Sequence, residues 1–196
     1  MSTKQLDHIS TYIDILRQWN ARINLTAVRD PEEIVTRHFG ESLFAARCLR
    51  LTNSHIETEP IRLADLGSGA GFPGIPIKLW MSDVAVTLIE SHHKKAAFLR
   101  EVTRSLLLTD VRIENTRAES LPPSTFNVVT LRAVERFSAT LQTATNLLVP
   151  GGRLMLLISS SQFHTTQSVL PTLSWEAPIP VPCSQSRIVL VSQPGK

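Results

Sequence analysis

A glycine-rich stretch, Asp65 to Gly74, carries the residue types that bind nucleotides. It reads Asp-Leu-Gly-Ser-Gly-Ala-Gly-Phe-Pro-Gly, with an apolar run before it and apolar residues at helical spacing after it. That order predicts a strand, a loop and a helix. Glycine is favoured where the backbone takes a positive φ or approaches a ligand closely. Because a helix N-terminus presents free N–H groups, the stretch indicates a site for an adenosine-containing cofactor.

Two cofactors fit this loop equally well. The spacing Gly69-x-Gly71-x-x-Gly74 matches the dinucleotide fingerprint. The overlapping spacing Asp65-x-Gly67-x-Gly69-x-Gly71 is typical of the loop of S-adenosylmethionine-dependent methyltransferases. The loop by itself therefore leaves a nicotinamide cofactor and S-adenosyl-L-methionine as alternatives.

Glu90 strengthens the interpretation that the ligand contains adenosine. It ends a second predicted strand, Val84 to Glu90, which is apolar and rich in β-branched residues. An acid at the end of this strand can accept hydrogen bonds from both ribose hydroxyls. The alternative is a strand-end carboxylate that faces water, and neither interpretation separates the two cofactors.

The elements around these residues predict an α/β fold. Strands and helices alternate from Ile61 onward, which favours a parallel sheet covered by helices. A tight turn is expected at Pro150-Gly151-Gly152. The other predicted strands are 61–66, 111–115, 126–131 and 153–158, and the predicted helices follow Pro73 and lie near 93–107 and 139–148.

The C-terminal part predicts an antiparallel hairpin at one edge of the sheet. Trp175 to Pro182 is proline-rich and extended, and Arg187 to Val191 is a good strand. A parallel sheet closed by a terminal hairpin is the methyltransferase architecture. A dehydrogenase usually needs a further substrate domain, for which 196 residues leave no room. The length therefore favours S-adenosyl-L-methionine.

The N-terminal part predicts a helical extension. Apolar residues between Leu6 and Trp19 recur at three- and four-residue spacing, and a second helix begins with Asp30 as its cap and Pro31 at its first position. His38 lies on the apolar stripe of this helix, so a buried, hydrogen-bonded histidine is expected rather than a catalytic one. A polar linker at 53–60 divides an extension, 1–56, from a methyltransferase domain, 57–196, in one compact unit.

Composition places the chain among globular proteins. Hydrophobic residues make up 42% of it, and no apolar run approaches the roughly 20 residues of a membrane span. Cys48 and Cys183 have no metal or redox spacing, so we expect two free thiols, no metal and a cytoplasmic monomer. The net charge of +3 permits RNA binding, and basic residues cluster in the N-terminal part and after the second strand.

Several motifs in order resemble the bacterial small-subunit ribosomal RNA guanine-N7 methyltransferases, also called glucose-inhibited division protein B. The most specific piece is the glycine loop with its Phe-Pro-Gly-Ile-Pro continuation. The other matching pieces are Trp19-Asn20, Asn24-Leu25-Thr26, Arg29-Asp30, His38, Glu41-Ser42-Leu43 (where the family usually has Asp-Ser), Glu90-Ser91, Lys94-Lys95, Phe98-Leu99, Arg117-Ala118-Glu119 and Arg132-Ala133.

The resemblance implies a Rossmann-like fold and an enzyme that uses S-adenosyl-L-methionine to methylate N7 of a guanine in 16S ribosomal RNA. It implies cofactor contacts at Asp65, Gly67, Gly69, Gly71, Phe72, Glu90, Ala118, Glu119 and Arg132. Ala118 and Glu119 would lie beside the adenine, and Arg132 would lie next to the cofactor and the target base. Guanine N7 carries no proton, so Arg132 is expected to orient a ligand rather than to act as an acid or base.

One departure from the family concerns the end of the fifth strand. The family usually carries a lysine there, whereas this chain has Ile158 followed by Ser159-Ser160-Ser161. If that lysine holds the RNA, this chain has lost the contact or replaced it, and the serines supply neutral hydrogen bonds only. A methyltransferase of a small molecule or protein, and a cofactor-binding member with reduced activity, therefore remain as alternatives.

Overall fold

A computed structural model describes residues 1–52, 60–134 and 136–194, without the side chains of 51 and 52. The helices are α1 (Thr3–Asn20), α2 (Pro31–Glu33), a π-helical segment (Ile34–Gly40), α3 (Glu41–Thr52), α4 (Gly74–Trp80), α5 (His93–Ser105), a 3₁₀ turn (Ala118–Ser120), α6 (Phe137–Leu147) and α7 (Gln162–Val169). The strands are β1 (Arg62–Leu66), β2 (Ala85–Ile89), β3 (Val111–Glu114), β4 (Phe126–Arg132), β5 (Leu148–Ser159), β6 (Ile179–Pro180) and β7 (Arg187–Val191).

The strands form one seven-stranded sheet in the order β3-β2-β1-β4-β5-β7-β6. The first five strands are parallel, and β7 pairs antiparallel with both β5 and β6. This confirms the predicted parallel sheet and the C-terminal hairpin. The order reverses between β1 and β4, and the crevice outside such a switch point is where open α/β sheets bind ligands.

The sheet has a core on each face because successive side chains of a strand point to opposite sides. In β1, Leu63 belongs to the core that contains residues of α1, α3, α4 and α5, whereas Ala64 belongs to the core that contains residues of α6 and α7. Asp65 is the next residue and is buried. By the same alternation it points to the side of Leu63, toward α4.

The N-terminal helices share the first of these cores. Tyr12 and Leu16 of α1 are fully buried, and Trp19 packs edge-on against Phe98 of α5. Ser2 caps α1 with a capping box, and Asp30 caps α2 as predicted. The predicted boundary at 56 and most of the polar linker lie outside the described residues.

Two details differ from the sequence-based prediction. The second helix contains the π-helical segment Ile34–Gly40, which the apolar spacing did not reveal. The tight turn predicted at 150–152 was wrong, because these residues lie inside β5 as an irregularity in its pairing with β4. Leu148 pairs with Phe126 and Arg153 pairs with Val128, so the register between β5 and β4 shifts at this point and pairing continues after it.

Candidate cofactor site

A crevice of about 540 Å³ opens at the carboxyl ends of β1, β2 and β4. This volume lies in the usual range of small-molecule sites. Four of the predicted cofactor residues line it: Gly67, Glu90, Ala118 and Glu119. Further polar and charged lining comes from Ser91, His92, Lys95, Arg117 and Arg136.

The other predicted site residues lie beneath or beside the crevice rather than on its wall. Asp65 and Phe72 are 1% and 5% exposed. Gly71 is also buried, and Gly69 is half-buried in the loop. Arg132 ends β4, one residue before the crevice residue Ala133.

The glycine loop has already used most of its N–H groups within the protein. The Gly74 N–H at the start of α4 donates to Asp65 Oδ2 at 3.2 Å, and the Gly69 N–H donates to Glu90 Oε2 at 2.9 Å. The loop donors engaged in this way are Gly67, Ser68, Gly69, Gly71, Gly74 and Ile75.

This hydrogen bonding separates the two cofactors that fit the loop pattern. A dinucleotide needs the loop and the helix N-terminus as donors to its pyrophosphate. Here a carboxylate stands at the start of α4 and a second one holds the loop. Both carboxyl groups take N–H donors that a pyrophosphate would need, and the Glu90 carboxylate suits a nucleoside that carries positive charge.

Asp65 holds the loop from below. Its other oxygen, Oδ1, accepts from the Thr130 hydroxyl at 3.0 Å, so one carboxyl group ties α4 to β4. Burial raises the pKa of Asp65 from 3.8 to about 7, against the lowering effect of Thr130 and Gly74. The geometry therefore gives Asp65 a supporting role beneath the crevice.

Glu90 is at the crevice itself, although it is largely buried. Its Oε2 accepts from the Gly69 N–H, and its Oε1 accepts from the His92 N–H at 2.7 Å. Each carboxylate oxygen has two lone pairs, so acceptor capacity remains on both. The two backbone contacts fix the orientation of the carboxylate, which can still accept from a pair of vicinal hydroxyls.

Tyr12 of α1 fixes the far side of the loop. Its hydroxyl donates to the Ala70 carbonyl, and its ring stacks on Phe72 with centroids 5.3 Å apart. Gly71 has φ +82°, and a Cβ there would collide with the Tyr12 hydroxyl and would lie 2.7 Å from Ile75 Cδ1. Glycine is thus required at 71 by the packing of α1 as well as by the backbone conformation.

Arg132 joins the end of β4 to the N-terminal helices. Its Nε and Nη2 donate to Glu41 Oε2 at 3.2 and 3.0 Å, and Nη2 also donates to the Arg37 carbonyl. The guanidinium carbon lies 5.9 Å from the centre of the Phe72 ring. Arg132 is therefore a fixed, mostly buried cation beside the crevice.

His38 is buried and hydrogen-bonded, as its place on the apolar stripe predicts. Arg132 Nη2 can only donate, so His38 Nδ1 accepts at 2.9 Å and the proton resides on Nε2, which donates to Thr26 Oγ1 at 2.7 Å. Burial, and after it the charge of Arg132, lowers the pKa of His38 from 6.5 to about 3. The neutral ring has no free nitrogen to act as a base.

Sequence reasoning missed the roles of Tyr12, Glu41 and Arg187. Glu41 was noted only as part of a motif of the family resemblance. In the structure it forms ion pairs with Arg132 at 3.0 Å and with Arg187 at 3.6 Å. No local pattern signals the contacts of Tyr12, Glu41 and Arg187, because they join elements far apart in the chain.

The serines at the end of β5 make a local contact instead. Ser159, the last residue of β5, donates from its N–H and its hydroxyl to Gln162 Oε1 at the start of α7.

A second cavity, of about 580 Å³, lies where β1, β2 and β3 begin. It is lined by Arg62, Thr87, Arg112 and Phe126, among others. It lies at the amino ends of the parallel strands and has no glycine loop, so the position expected for a cofactor in such a sheet is the crevice at the opposite edge.

Comparison with known families decides the assignment. The model of the family GidB, rRNA small subunit methyltransferase G, matches residues 5–172. The chain belongs to this family. A ribosomal RNA small subunit methyltransferase G from Chloroflexus aggregans is 41% identical over 160 residues, which cover 79% of this chain and 64% of that protein. The homologue from Xylella fastidiosa is 40% identical over 82% of this chain and 71% of its own length.

The chain thus spans a little under two thirds of the Chloroflexus relative. The matched residues include the glycine loop and Glu90, on which the sequence-based expectation rested in part. The family model ends at residue 172, so β6 and β7 lie beyond the match.

Solved structures show the fold independently. The structure of an S-adenosylmethionine-dependent methyltransferase from Aquifex aeolicus superposes with a TM-score of 0.63 at 14% identity, covering 83% of this chain and 93% of that one. A ribosomal protein L11 methylase from Lactobacillus delbrueckii gives 0.64 at 12% identity, covering 80% and 77%. The Rossmann-like methyltransferase fold is therefore confirmed.

No helix among the described residues has the length and apolar character to cross a membrane. No group of three or more histidine, cysteine, aspartate or glutamate side chains in the same residues is arranged to hold a metal ion.

Proposed function

We propose that this protein uses S-adenosyl-L-methionine to methylate N7 of a guanine in 16S ribosomal RNA. The observation that carries the proposal is the crevice at the strand switch point, which Glu90 lines and beside which Asp65 and Glu90 occupy N–H groups that a pyrophosphate would need. Family membership supports the same reaction and substrate.

The crevice supports the cofactor through charge. S-adenosyl-L-methionine carries a sulfonium and an α-ammonium group, and the carboxylates of Glu90 and Glu119 line the crevice. Lys95, Arg117 and Arg136 also line it and can neutralise an α-carboxylate. Gly67, Gly69, Gly71, Phe72 and Ala118 complete the proposed cofactor-binding set, with Asp65 and Arg132 acting from beneath and beside the crevice.

The side chains next to the crevice suit a target atom that needs no deprotonation. His38 is neutral with both nitrogens engaged, and Arg132 is a cation paired with Glu41. Guanine N7 has a lone pair and no proton, so in-line attack on the methyl group forms the N–C bond as the S–C bond breaks. Alignment of the two ligands can supply up to about 7–11 kcal/mol of barrier reduction.

Arg132 has a positioning role in this scheme. The methylated guanine is cationic, so a guanidinium aimed at N7 would oppose the charge that develops. Its pairing with Glu41 reduces that opposition, and its guanidinium lies over the Phe72 ring beside the crevice. We infer that Arg132 orients the cofactor or holds guanine O6.

The RNA-facing surface is proposed to surround the mouth of the crevice. Exposed basic side chains follow β2 at His92, His93 and Lys94, and continue along α5 at Arg100 and Arg104. Such groups contact phosphates without reading sequence. A target guanine must be unstacked to reach the crevice. Acting on 16S ribosomal RNA or the small subunit, the enzyme is proposed to work as a cytoplasmic monomer.

Methyl transfer to small ribosomal subunits tests the proposal. Subunits from cells that lack this protein are incubated with the purified enzyme and methyl-labelled S-adenosyl-L-methionine, and the RNA is mapped by mass spectrometry. One guanine should gain a methyl group at N7. Transfer to a protein, to another base atom, or to a small molecule only would contradict the proposal. Arg132→Ala should lower turnover at least about tenfold, because a positioning contact is lost.

A further inference from the structure

A carboxylate shared by two guanidinium groups lies at the carboxyl edge of the sheet. Glu41 of α3 contacts Arg132 at the end of β4 at 3.0 Å and Arg187 at the start of β7 at 3.6 Å. Arg187 pairs with Ser159, the last residue of β5. Three elements far apart in the chain thus bring these side chains together beside the crevice.

The cluster carries excess positive charge. Two arginines face one glutamate, and His38 adds no charge because its Nδ1 accepts a hydrogen bond from Arg132. The side chains of Glu41 and Arg132 are only 7% and 11% exposed, so water screens this excess poorly. Asp65, buried beneath them, also attracts Arg132, but burial raises the pKa of Asp65 to about 7, so it balances the second arginine only in part at neutral pH. A partly buried excess of positive charge favours an anion in the functional complex.

Arg187 is the member of the cluster that is available to an anion. Its side chain is 24% exposed, and its contacts within the described part of the chain, to Glu41 and to the Leu157 carbonyl at 2.9 Å, both use Nη2. Arg132, in contrast, makes four hydrogen bonds to the N-terminal helices. A guanidinium has five N–H donors in a planar fork that matches phosphate, and Nε and Nη1 of Arg187 remain for such a pairing.

We propose that Arg187 binds a phosphate of the RNA beside the target nucleotide, and that Glu41 is the positioning residue that holds Arg187 and Arg132 side by side. The inference rests on the proposed function and names a further contact of the same site. Residue 187 lies beyond the matched residues 5–172, so the family match does not assign it. The family usually has a lysine at the end of β5. In this chain the positive charge next to that position is Arg187, which belongs to the neighbouring strand β7.

The salt dependence of RNA binding tests the phosphate contact. The Kd for labelled small-subunit RNA is measured by filter binding with S-adenosylhomocysteine present, over about 50 to 200 mM KCl. Arg187→Gln should raise Kd about tenfold at the lower salt. It should also reduce the slope of log Kd against log salt by about 1, because one phosphate contact is lost.

Arg112→Gln is the matched control. Arg112 is an exposed arginine of β3 at the amino edge of the sheet, and its loss removes the same charge far from the crevice. Its slope should equal that of the wild type. If Arg187→Gln retains the wild-type slope, or if Arg112→Gln lowers the slope equally, the proposed contact is wrong.

Arg187→Lys keeps the inference testable if the glutamine variant does not fold. Lysine keeps the charge but not the planar fork, so the salt slope should persist while Kd rises about threefold or more. A lysine variant with wild-type Kd would overturn the bidentate contact. If the wild-type protein methylates the subunits but the Arg187 variants bind normally, only this inference fails. If the wild type neither binds nor methylates them, the proposed function fails as well.

Discussion

Single residues decide which ligand the crevice can accept. The glycine pattern alone fits two cofactors, and the distinction comes from the side chains that take the N–H groups of the loop. Asp65 occupies Gly74 and Glu90 occupies Gly69. Glu90 was visible in the sequence because it ends a strand. The position of Asp65 beneath the loop could not be predicted from the sequence, because an acid at the end of a strand can face either the ligand or the following helix.

Replacing Glu90 tests the ribose contact. Glu90→Gln keeps the size and one acceptor oxygen but loses the charge that strengthens hydrogen bonds from hydroxyls. We expect the Kd for S-adenosylhomocysteine to rise about tenfold or more in calorimetry. The exposed acid Glu32 supplies the control, and Glu32→Gln should bind as the wild type does. Equal affinity of the Glu90 and Glu32 variants would contradict the assigned role.

The buried carboxyl of Asp65 predicts an unusual pH dependence of stability. The pKa of Asp65 is about 7 in the folded protein, compared with a reference value of 3.8. Between these pH values the folded protein therefore binds one more proton than the unfolded chain. Its contribution to the free energy of unfolding is full below pH about 4 and is lost as pH rises to about 7, by at most about 1.4 kcal/mol per pH unit. His38, with a pKa lowered to about 3, contributes in the opposite sense and loses its contribution as pH falls below about 6.5.

In the wild type, the opposite effects of Asp65 and His38 on the pH dependence of stability offset each other. Replacing Asp65 should therefore leave the effect of His38 visible. Asp65→Asn should lose stability more steeply than the wild type on acidification between pH about 6.5 and 4, as measured by urea unfolding at several pH values. Asn retains an acceptor for Gly74 and can donate to Thr130. The exposed Asp14→Asn should follow the wild type. Parallel curves for the wild type and Asp65→Asn would show that Asp65 titrates normally.

At the scale of elements, the glycine loop is held between α1 and the sheet. The sequence predicted α1, the loop and α4 from their spacing, but not the contact of Tyr12 with the loop, which joins residues 58 positions apart. The π-helical segment also escaped prediction, because a few residues with a longer period cannot be told from an α-helix by apolar spacing. Residues 150–152 are of types that favour turns. The pairing of β5 with β4 on both sides of them shows that they form an irregularity within the strand.

Alanine substitutions at two glycines with similar backbone conformations distinguish the cost of side-chain crowding from the cost of backbone strain. Gly71 and Gly151 have φ of +82° and +76°, but a Cβ meets Tyr12 and Ile75 only at Gly71. Gly151→Ala should cost about 1–2 kcal/mol of unfolding free energy from strain alone. Gly71→Ala should cost at least about 3 kcal/mol because crowding adds to it. Equal losses in urea unfolding would mean that α1 does not press on the loop.

At the scale of the whole molecule, the N-terminal helices and the sheet form one core. The parallel sheet was predictable from the alternation of strands and helices, and the hairpin was predictable from the two extended C-terminal segments, whereas the order of the strands came only from the structure. The cluster of Glu41, Arg132 and Arg187 was not, because its members come from three elements and no spacing rule connects them. The proposed phosphate contact therefore depends on side-chain contacts that form only when these elements pack together.

The shared core predicts a single cooperative unfolding transition. Trp19 reports on α1, and Trp175 reports on the strand region near β7, where it bridges to Ser192. Fluorescence of single-tryptophan variants that retain either residue should change at the same urea concentration as the far-ultraviolet circular dichroism. An earlier transition at Trp19 would show that the N-terminal helices unfold as a separate unit.

The most direct test of the central claim is a crystal structure of the complex with S-adenosylhomocysteine. The account predicts density in the crevice between Gly67 and Ala118, with both ribose hydroxyls within hydrogen-bond distance of the Glu90 carboxylate. Density at another place, or a ribose turned away from Glu90, would contradict it.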